Sequence, residues 1–573
     1  MKSCAWWIFA GGMLVSTILV AQTTIPGGYV SGTWTAAGSP YNVQGSITIH
    51  ADSTLNIEPG VLVNLLGAYS FTVNGYLEAV GTQADSIRFA GTATWGGVNF
   101  VNAPDSSHLV YCSINNAFTP VTCNNSDPVI SHNLMTSGGI YGAIYVLNLS
   151  SPRISDCSIT NAGRGIYWTS SANATIDSCV ISNVYSQGFW WTSSASGTIS
   201  GSIISGCGRS GVYKTSGNLT FIDCIISNNK NNMDDYGGGV RSQFGNVTFI
   251  NCTISNDSMF SGEGGGVGCR QGTATFTNCT INGNCSVDLS SSPYLGGGGI
   301  SLYNANAILS HCTIFDNFGS PHGGAIAIYN TGNLSINHCT IDGNESDCGM
   351  YPGSTIAIIG SSPAATIMNS IISNNYGWPS NACAIYNQGT LTAEYSDFYH
   401  NYPGGDISGN RPTGFGVLDT TNYNSDSCDI YYNIFLDPMF VDTTNGDLHL
   451  QAASICIDAG DPTSPLDPDG TVADMGCYYF DQSAHPVPNS VTDLTISCDS
   501  LNVHLIWSPV TTDTSGNSIT VSRYIIYASD NPFLVPVLLD SIGCTIPPDT
   551  SFMDSSALTN DKRFYNVKAK MGD

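Results

Sequence analysis

One phrase recurs down the middle of this chain: a cysteine, one residue of any kind, an isoleucine, and within two more positions a turn-forming Asn, Asp or Gly. It begins at Cys112, Cys157, Cys179, Cys224, Cys252, Cys279, Cys312 and Cys339, reading CSINN, CSITN, CVISN, CIISN, CTISN, CTING, CTIFD and CTIDG. The intervals of 45, 22, 45, 28, 27, 33 and 27 residues fall into one register when Asn133, Ser202, Ser370 and Ser396 join the cysteine column, leaving steps of 21 to 33 residues. A step of that length is one coil of a solenoid, too short to fold alone and stable only when stacked on its neighbours.

Each coil has room for short strands and none for helices. The cysteine and the isoleucine two positions on share a parity, so both face one side of a strand. Asn161, Asn183, Asn228, Asn256 and Asn374 take the next position of that parity, where the strand should bend and stacked amides satisfy the turn backbone. Upstream runs such as NLTFI (218–222) and NVTFI (246–250) give a second face. Two or three short strands per coil, stacked ~4.8 Å apart, describe an all-β chain folded as a right-handed parallel β-helix. In that fold the aligned cysteines form a buried, reduced ladder, because stacked parallel strands do not suit the disulfide dihedral. Cys498 and Cys544, outside the ladder, are the pair expected to form a disulfide.

Composition limits the partners. Only 10% of the 573 residues are charged, yet acidic residues outnumber basic ones 42 to 15, for a formal charge of −27. That balance excludes nucleic acid as a partner, since backbone binding requires clustered Lys and Arg. Lys2 precedes an apolar run from Ala5 to Val20 that ends at Ala21-Gln22. Residues 1–21 are read as a secretory signal peptide, which makes the mature chain secreted, extracellular or on the outer cell surface, with no transmembrane span.

Residues 22–45 are expected to cap the solenoid, and 46–480 to form it together with a C-terminal cap. Near its start stand TLNIEPGVLV (Thr54 to Val63), VNGYLEAVGT (Val73 to Thr82) and WGGVNF (Trp95 to Phe100). Near its finish stand LDPMFVD (Leu436 to Asp442), ICIDAGDP (Ile455 to Pro462) and DPDGTVADMGCYYF (Asp467 to Phe480). This pairing resembles the secreted bacterial right-handed parallel β-helix repeat family. The resemblance implies the fold and leaves activity open, since the family includes lyases, hydrolases and members without known chemistry. GGAI at Gly323 to Ile326 is similar to the repeats of chlamydial polymorphic membrane proteins, which are adhesins, although the phenylalanine of their second phrase is missing here. From 486 to 573 the apolar runs lengthen, and the placement of Trp507, Tyr524, Leu558 and Tyr565 resembles a fibronectin type III module, a seven-strand sandwich. The pattern stops after a sixth strand, so the natural chain is expected to continue.

No nucleophile elbow, H-E-x-x-H or C-x-x-C appears, and of the polygalacturonase-type set only Asp234-Asp235 is present. Arg153, Arg164, Arg209, Lys214, Lys230, Arg241 and Arg270 put seven of the fifteen basic residues within 118 positions, while 271–410 holds none. This stretch is the place for an anionic ligand. As a catalytic set, Asp234, Asp235 and Glu263 would bind calcium while Lys214 or Arg241 abstracts a proton, the arrangement that resemblance to uronate lyases of this fold implies. His322, in PHGG, reads as structural.

Counting back from the repeat cysteine, Tyr145, Tyr167, Trp190 and Tyr213 share one column, and Trp168, Trp191 and Lys214 the next. Adjacent columns face opposite ways, so one is exposed, and its rings suit sugar faces as well as each other. Tyr145, Tyr167, Trp190, Tyr213, Arg164 and Arg209 form the expected ligand-binding set. Asp458, Asp461, Asp467, Asp469 and Asp474 offer either calcium ligands or a capping turn bonded to backbone N–H groups; no other cofactor is implied. Three functions stay open: binding of extracellular polysaccharide or a surface glycan, which the aromatic column favours; a lyase or hydrolase of an acidic polysaccharide; and a structural surface stalk.

Overall fold

The structure is a computed structural model that describes residues 22–573 except 137–138, 140, 233–236, 261, 288–295, 348–353, 379–382, 403–404, 484–487, 500–501, 513–517, 530–540, 555–563 and 571–573. The chain divides into two compact units, one ending at Phe480 and the other spanning Asp481–Asp573.

Among the described residues, three parallel sheets of 16, 16 and 15 strands, a fourth of six and two antiparallel strand pairs near its end make the first unit. Each coil adds one strand to each long sheet in fixed order, for example Ser158–Thr160, Ile166–Trp168 and Ala174–Asp177. After these strands the three are called the cysteine sheet, the aromatic sheet and the third sheet. Pairing without slip places like on like: Ile159 meets Ile181, Ile181 meets Ile204 and Ile204 meets Ile226, all of them buried. On the third sheet the same register stacks Phe221 on Phe249 and Phe249 on Phe276, with ring centres 5.2 and 5.0 Å apart. Helix is confined, among the described residues, to two three-residue 3₁₀ turns at Ala36–Gly38 and Thr443–Asn445.

The solenoid starts earlier than its sequence suggests. Thr23–Ile25 already pairs with Tyr41–Val43 and Gly28–Tyr29 with the strand from Ile47, so 22–45 is built as the first coil. It lacks the cysteine phrase, and Trp34 stacked on Tyr41 at 4.7 Å closes the end of the core instead.

The repeat cysteines stand at the corner between the third sheet and the cysteine sheet, buried and free. Cys224, Cys252 and Cys279 each point the thiol at the carbonyl two residues back, at 3.2 Å. Where a polar residue takes the column, it accepts the backbone N–H of the coil below: Cys112 N donates to Asn133 Oδ1 at 2.8 Å, Cys179 N to Ser202 Oγ at 3.0 Å and Cys339 N to Ser370 Oγ at 3.1 Å. Cys498 and Cys544 are also free and exposed, on strands of two different sheets of the second unit. The disulfide expected between them is therefore absent.

The asparagine column also differs from expectation by one residue. Asn161, Asn183, Asn228, Asn256 and Asn374 bend the chain with φ of 53°, 52°, 58°, 54° and 53°, a conformation asparagine tolerates better than most residues. The buried amide ladder is built by the residue that follows or its equivalent: Asn229, Asp257, Asn284, Asn317, Asn344, Asn375 and Asn401. Asn284 Nδ2 donates to Asn317 Oδ1 and to Ile254 O, both at 2.9 Å, and Asn317, Asn344 and Asn375 repeat the arrangement.

Asp257 breaks the amide series. Its Oδ1 accepts from the N–H and Nδ2 of Asn229 at 2.8 and 2.9 Å. Its Oδ2 occupies the slot that holds an NH2 elsewhere in the ladder, buried and without a hydrogen-bond partner. That slot faces acceptors, so an ionised oxygen is repelled there, and burial pushes the carboxyl well above its ordinary value.

Beyond Ile407–Gly409, the last strand of the aromatic sheet, the chain lies over the outside of the cysteine sheet. Ile371, Phe440, Leu448, Leu450, Cys456 and Met475 form a second buried cluster there, pinned by Cys477 N donating to Thr340 Oγ1 at 3.0 Å and Asp461 N to Asn369 Oδ1 at 2.8 Å.

Two three-stranded antiparallel sheets make the second unit. Its core holds Val503, Leu505, Trp507, Tyr524, Ile526 and Val567, with Trp507 edge-on to Tyr524 at 5.4 Å. Leu558 lies outside the described residues.

The folded chain keeps the Asp257 proton that the unfolded chain releases near pH 4. Stability from this residue is therefore fullest below about pH 4 and falls as pH rises. Asp257→Asn restores the amide and is expected to raise stability near pH 8 by roughly 1–3 kcal/mol while changing little near pH 4. Thermal melts across that range check it, and a variant less stable than the parent near pH 8 would contradict it.

Candidate functional site

Alternation along the aromatic sheet separates the two ring columns. Tyr145 pairs with Tyr167, Tyr167 with Trp190 and Trp190 with Tyr213, and all four are half-buried on the outer face. Trp168, Trp191 and Lys214 pair in the adjacent register and are fully buried inside.

The outer rings stack on one another. Centres are 5.1 Å apart for Tyr145 and Tyr167 and 4.6 Å for Tyr167 and Trp190, with planes 16° and 18° apart, and the step to Tyr213 is 5.6 Å with a 30° tilt. Tyr141 extends the stack below Tyr145 at 5.3 Å, and Phe118 meets Tyr141 edge-on at 6.4 Å. Two guanidiniums join it: Arg164 lies 3.9 Å over Trp190 and Arg241 lies 4.3 Å over Tyr213. With ring faces committed to neighbours and to arginines, edges and hydroxyls are what this column can offer a ligand. That revises the expected sugar-stacking platform.

Arg164 Nε donates to Gln187 Oε1 at 3.1 Å. Burial lowers the guanidinium's pKa, Tyr167 opposes that, and the nearby Arg209 lowers it further. Arg164 and Arg209 each precede a strand of the aromatic sheet, Ile166–Trp168 and Val212–Lys214.

Among the described residues the catalytic set does not assemble. Lys214 faces the interior, its Nζ donating to Ser242 Oγ at 3.2 Å and to Phe244 O, so it cannot reach a substrate outside. Burial pushes its pKa down to about 8. Val212, two residues earlier, is an inward apolar residue, and the same parity sends Lys214 inward. Arg241 is engaged with Tyr213. Glu263 is 3% exposed and paired with Arg270 at 3.1 Å, and that guanidinium also lies 5.4 Å from the Tyr303 ring. Asp234 and Asp235 lie outside the described residues. His322 is buried, its ring stacked at 6.1 Å on Tyr386.

The terminal aspartates act as turn ligands. Asp474 accepts the N–H of Asp458 at 2.7 Å and of Phe480 at 2.6 Å, Asp467 that of Asp474 at 2.8 Å, Asp469 that of Thr471 at 3.1 Å and Asp461 that of Thr463 at 2.9 Å. Burial pushes the Asp474 carboxyl up to about 7. Among the described residues no three His, Cys, Asp or Glu side chains converge as a metal site. No helix there is long and apolar enough to cross a membrane.

The model of the family described as "Right handed beta helix region" matches residues 82–195, 142–295 and 288–430, together more than half of the chain, and the protein belongs to that family. No curated protein matches its sequence. Among solved structures, the catalytic unit of a thermostable GH87 alpha-1,3-glucanase from Streptomyces thermodiastaticus aligns at 14% identity and a TM-score of 0.30, covering 62% of this chain and 63% of that one. Pectate lyase Pel9A aligns at 12% identity and a TM-score of 0.25, covering 74% and 87%. The Agl-KA catalytic domain aligns at 13% identity and a TM-score of 0.22, covering 67% and 62%. This chain thus spans less than two thirds of the first and third, and superpositions this loose say nothing of activity.

Lys214 gives a measurable signature. The folded state sheds its proton at about pH 8, while the unfolded chain holds it to about pH 10.4, so stability rises with pH between those values. The stability difference between Lys214→Met and the parent is expected to shift toward the parent by roughly 3 kcal/mol from pH 7.5 to pH 10.5. Denaturant titrations at the two pH values measure it, and a pH-independent difference would place the ammonium in solvent.

Proposed function

We propose that this protein is exported and binds an extended polysaccharide, or a surface glycan of that form, along the solenoid axis at the outer column from Tyr141 to Tyr213, without cleaving it. One observation carries the reading: the column repeats an aromatic edge at every coil, ~4.8 Å apart, close to the length of one sugar residue in an extended chain. A repeating polymer can then make the same contact at each step, and many weak contacts on one rigid backbone add up. The ladder is pre-organised by its own stacking, so little side-chain entropy is lost on binding.

A lyase or hydrolase reading needs a free base facing that column; Lys214 points the other way, and Arg241, which does face it, lies over the Tyr213 ring. The leader at 1–21 and its hydrophobic run support export. The second unit, with two antiparallel sheets around Trp507 and Tyr524, supports a fibronectin type III-like module that would carry or space the binding body.

The test keeps the stack and removes its hydroxyls. A triple variant, Tyr145→Phe, Tyr167→Phe and Tyr213→Phe, is expected to melt like the parent and to lose roughly tenfold in affinity for the polysaccharides the parent retains in affinity electrophoresis. A folded variant that binds as the parent does would move the site off this column. A parent that retains no polysaccharide would leave the stalk reading.

A further inference from the structure

Charge is distributed unevenly around the ring column. In a chain of net charge −27, the stretch from 128 to 222 contains two carboxylates, Asp156 and Asp177. Asp156 stands in the bend before Cys157 with φ 53°, and Asp177 ends a strand of the third sheet. Both sit at the corner between the third sheet and the cysteine sheet, away from the aromatic sheet. Asp156 lies 3.9 Å from His132, and Asp177 is bonded to Ser178 and Ser200.

The arginines stand on the other side. Arg164 leads into the coil of Tyr167, and Arg209 leads into the coil of Tyr213, two coils on. Their backbones are thus ~10 Å apart along the axis. Each is half-buried. Arg209 has no ion pair or side-chain hydrogen bond among the described residues, and Arg164 is bonded to the neutral amide of Gln187. Arg209, a cation close enough to Arg164 to feel it, is better off beside an anion, and a guanidinium is matched in shape to a carboxylate.

We infer that the polymer bound here is an acidic polysaccharide bearing carboxylates, and that Arg209 and Arg164, whose guanidinium reaches the next coil over Trp190, meet carboxylates on neighbouring sugars. This rests on the polysaccharide reading of the ring column and adds its specificity. The −27 net charge makes the patch selective as well: a polyanion is repelled elsewhere and held where the arginines break the negative field.

The experiment compares one polymer with its own neutral form, a size-defined oligouronate and the same chain after carboxyl reduction, by calorimetry at low and at ~0.5 M salt. The parent is expected to bind the oligouronate at least tenfold tighter at low salt, the gap closing as salt rises. The double variant Arg164→Gln, Arg209→Gln, with its fold checked by circular dichroism, is expected to bind both forms alike, at the affinity the parent shows for the reduced form. Equal binding of both forms by the parent would overturn the acidic specificity and leave the ring column standing. A full gap in the double variant would overturn the role of these two arginines. No binding of either form by the parent would remove the ring column and the inference together.

Discussion

Parallel pairing that keeps its register from coil to coil, broken by a shift between Ala90 and Trp95, is the constraint on which the first unit depends. A shift of one residue would turn every inward side chain outward, so each coil repeats the in-and-out pattern of the one below. Like then stacks on like along the axis, as isoleucines, phenylalanines, thiols or amides. Charges cannot do this, because equal charges ~4.8 Å apart repel. A chain built this way keeps charge sparse on its sheets, which is why only 10% of its residues are charged. It also gives the few arginines beside the aromatic sheet their weight.

The same constraint explains what the ladders tolerate. Ser202, Ser370 and Asn133 replace cysteine without loss because a hydroxyl or amide accepts a backbone N–H in that corner. Asp257 and Lys214 are less well suited. Each is the right size for its column and carries a titratable group into a place that prefers a neutral one, Asp257 among amides and Lys214 between Trp191 and Ser242. The cap makes a further use of buried carboxyls: Asp397 is sealed beneath it, accepting Leu436 N at 3.2 Å, with its pKa raised by burial.

Much of this was legible in the residues. The cysteine phrase gave the coil length, parity placed Cys157 and Ile159 inside together, and Asn133 and Ser202 took the column positions assigned to them. The amide ladder was misplaced by one residue because a positive φ at Asn228 or Asn256 turns the next side chain inward, and sequence alone shows two candidate columns there. Counting from the cysteine found the two ring columns but left open which was exposed, although Val212 already assigned Lys214 to the interior. Ring faces turned toward each other, the Arg241 contact with Tyr213 and the burial of Glu263 against Arg270 are set by stacking distance and side-chain reach, which no linear pattern carries.

The functional account reduces to one claim: a linear acidic polymer lies along the axis, touching successive coils at one column. Amide hydrogen exchange with and without an oligouronate tests it most directly. The account predicts slowed exchange in peptides covering 141–147, 164–169, 187–193 and 209–216, four consecutive coils on one face, with the equivalent strands of the third sheet unchanged. Protection confined to a single coil, or centred on the third sheet or on Asp481–Asp573, would contradict it.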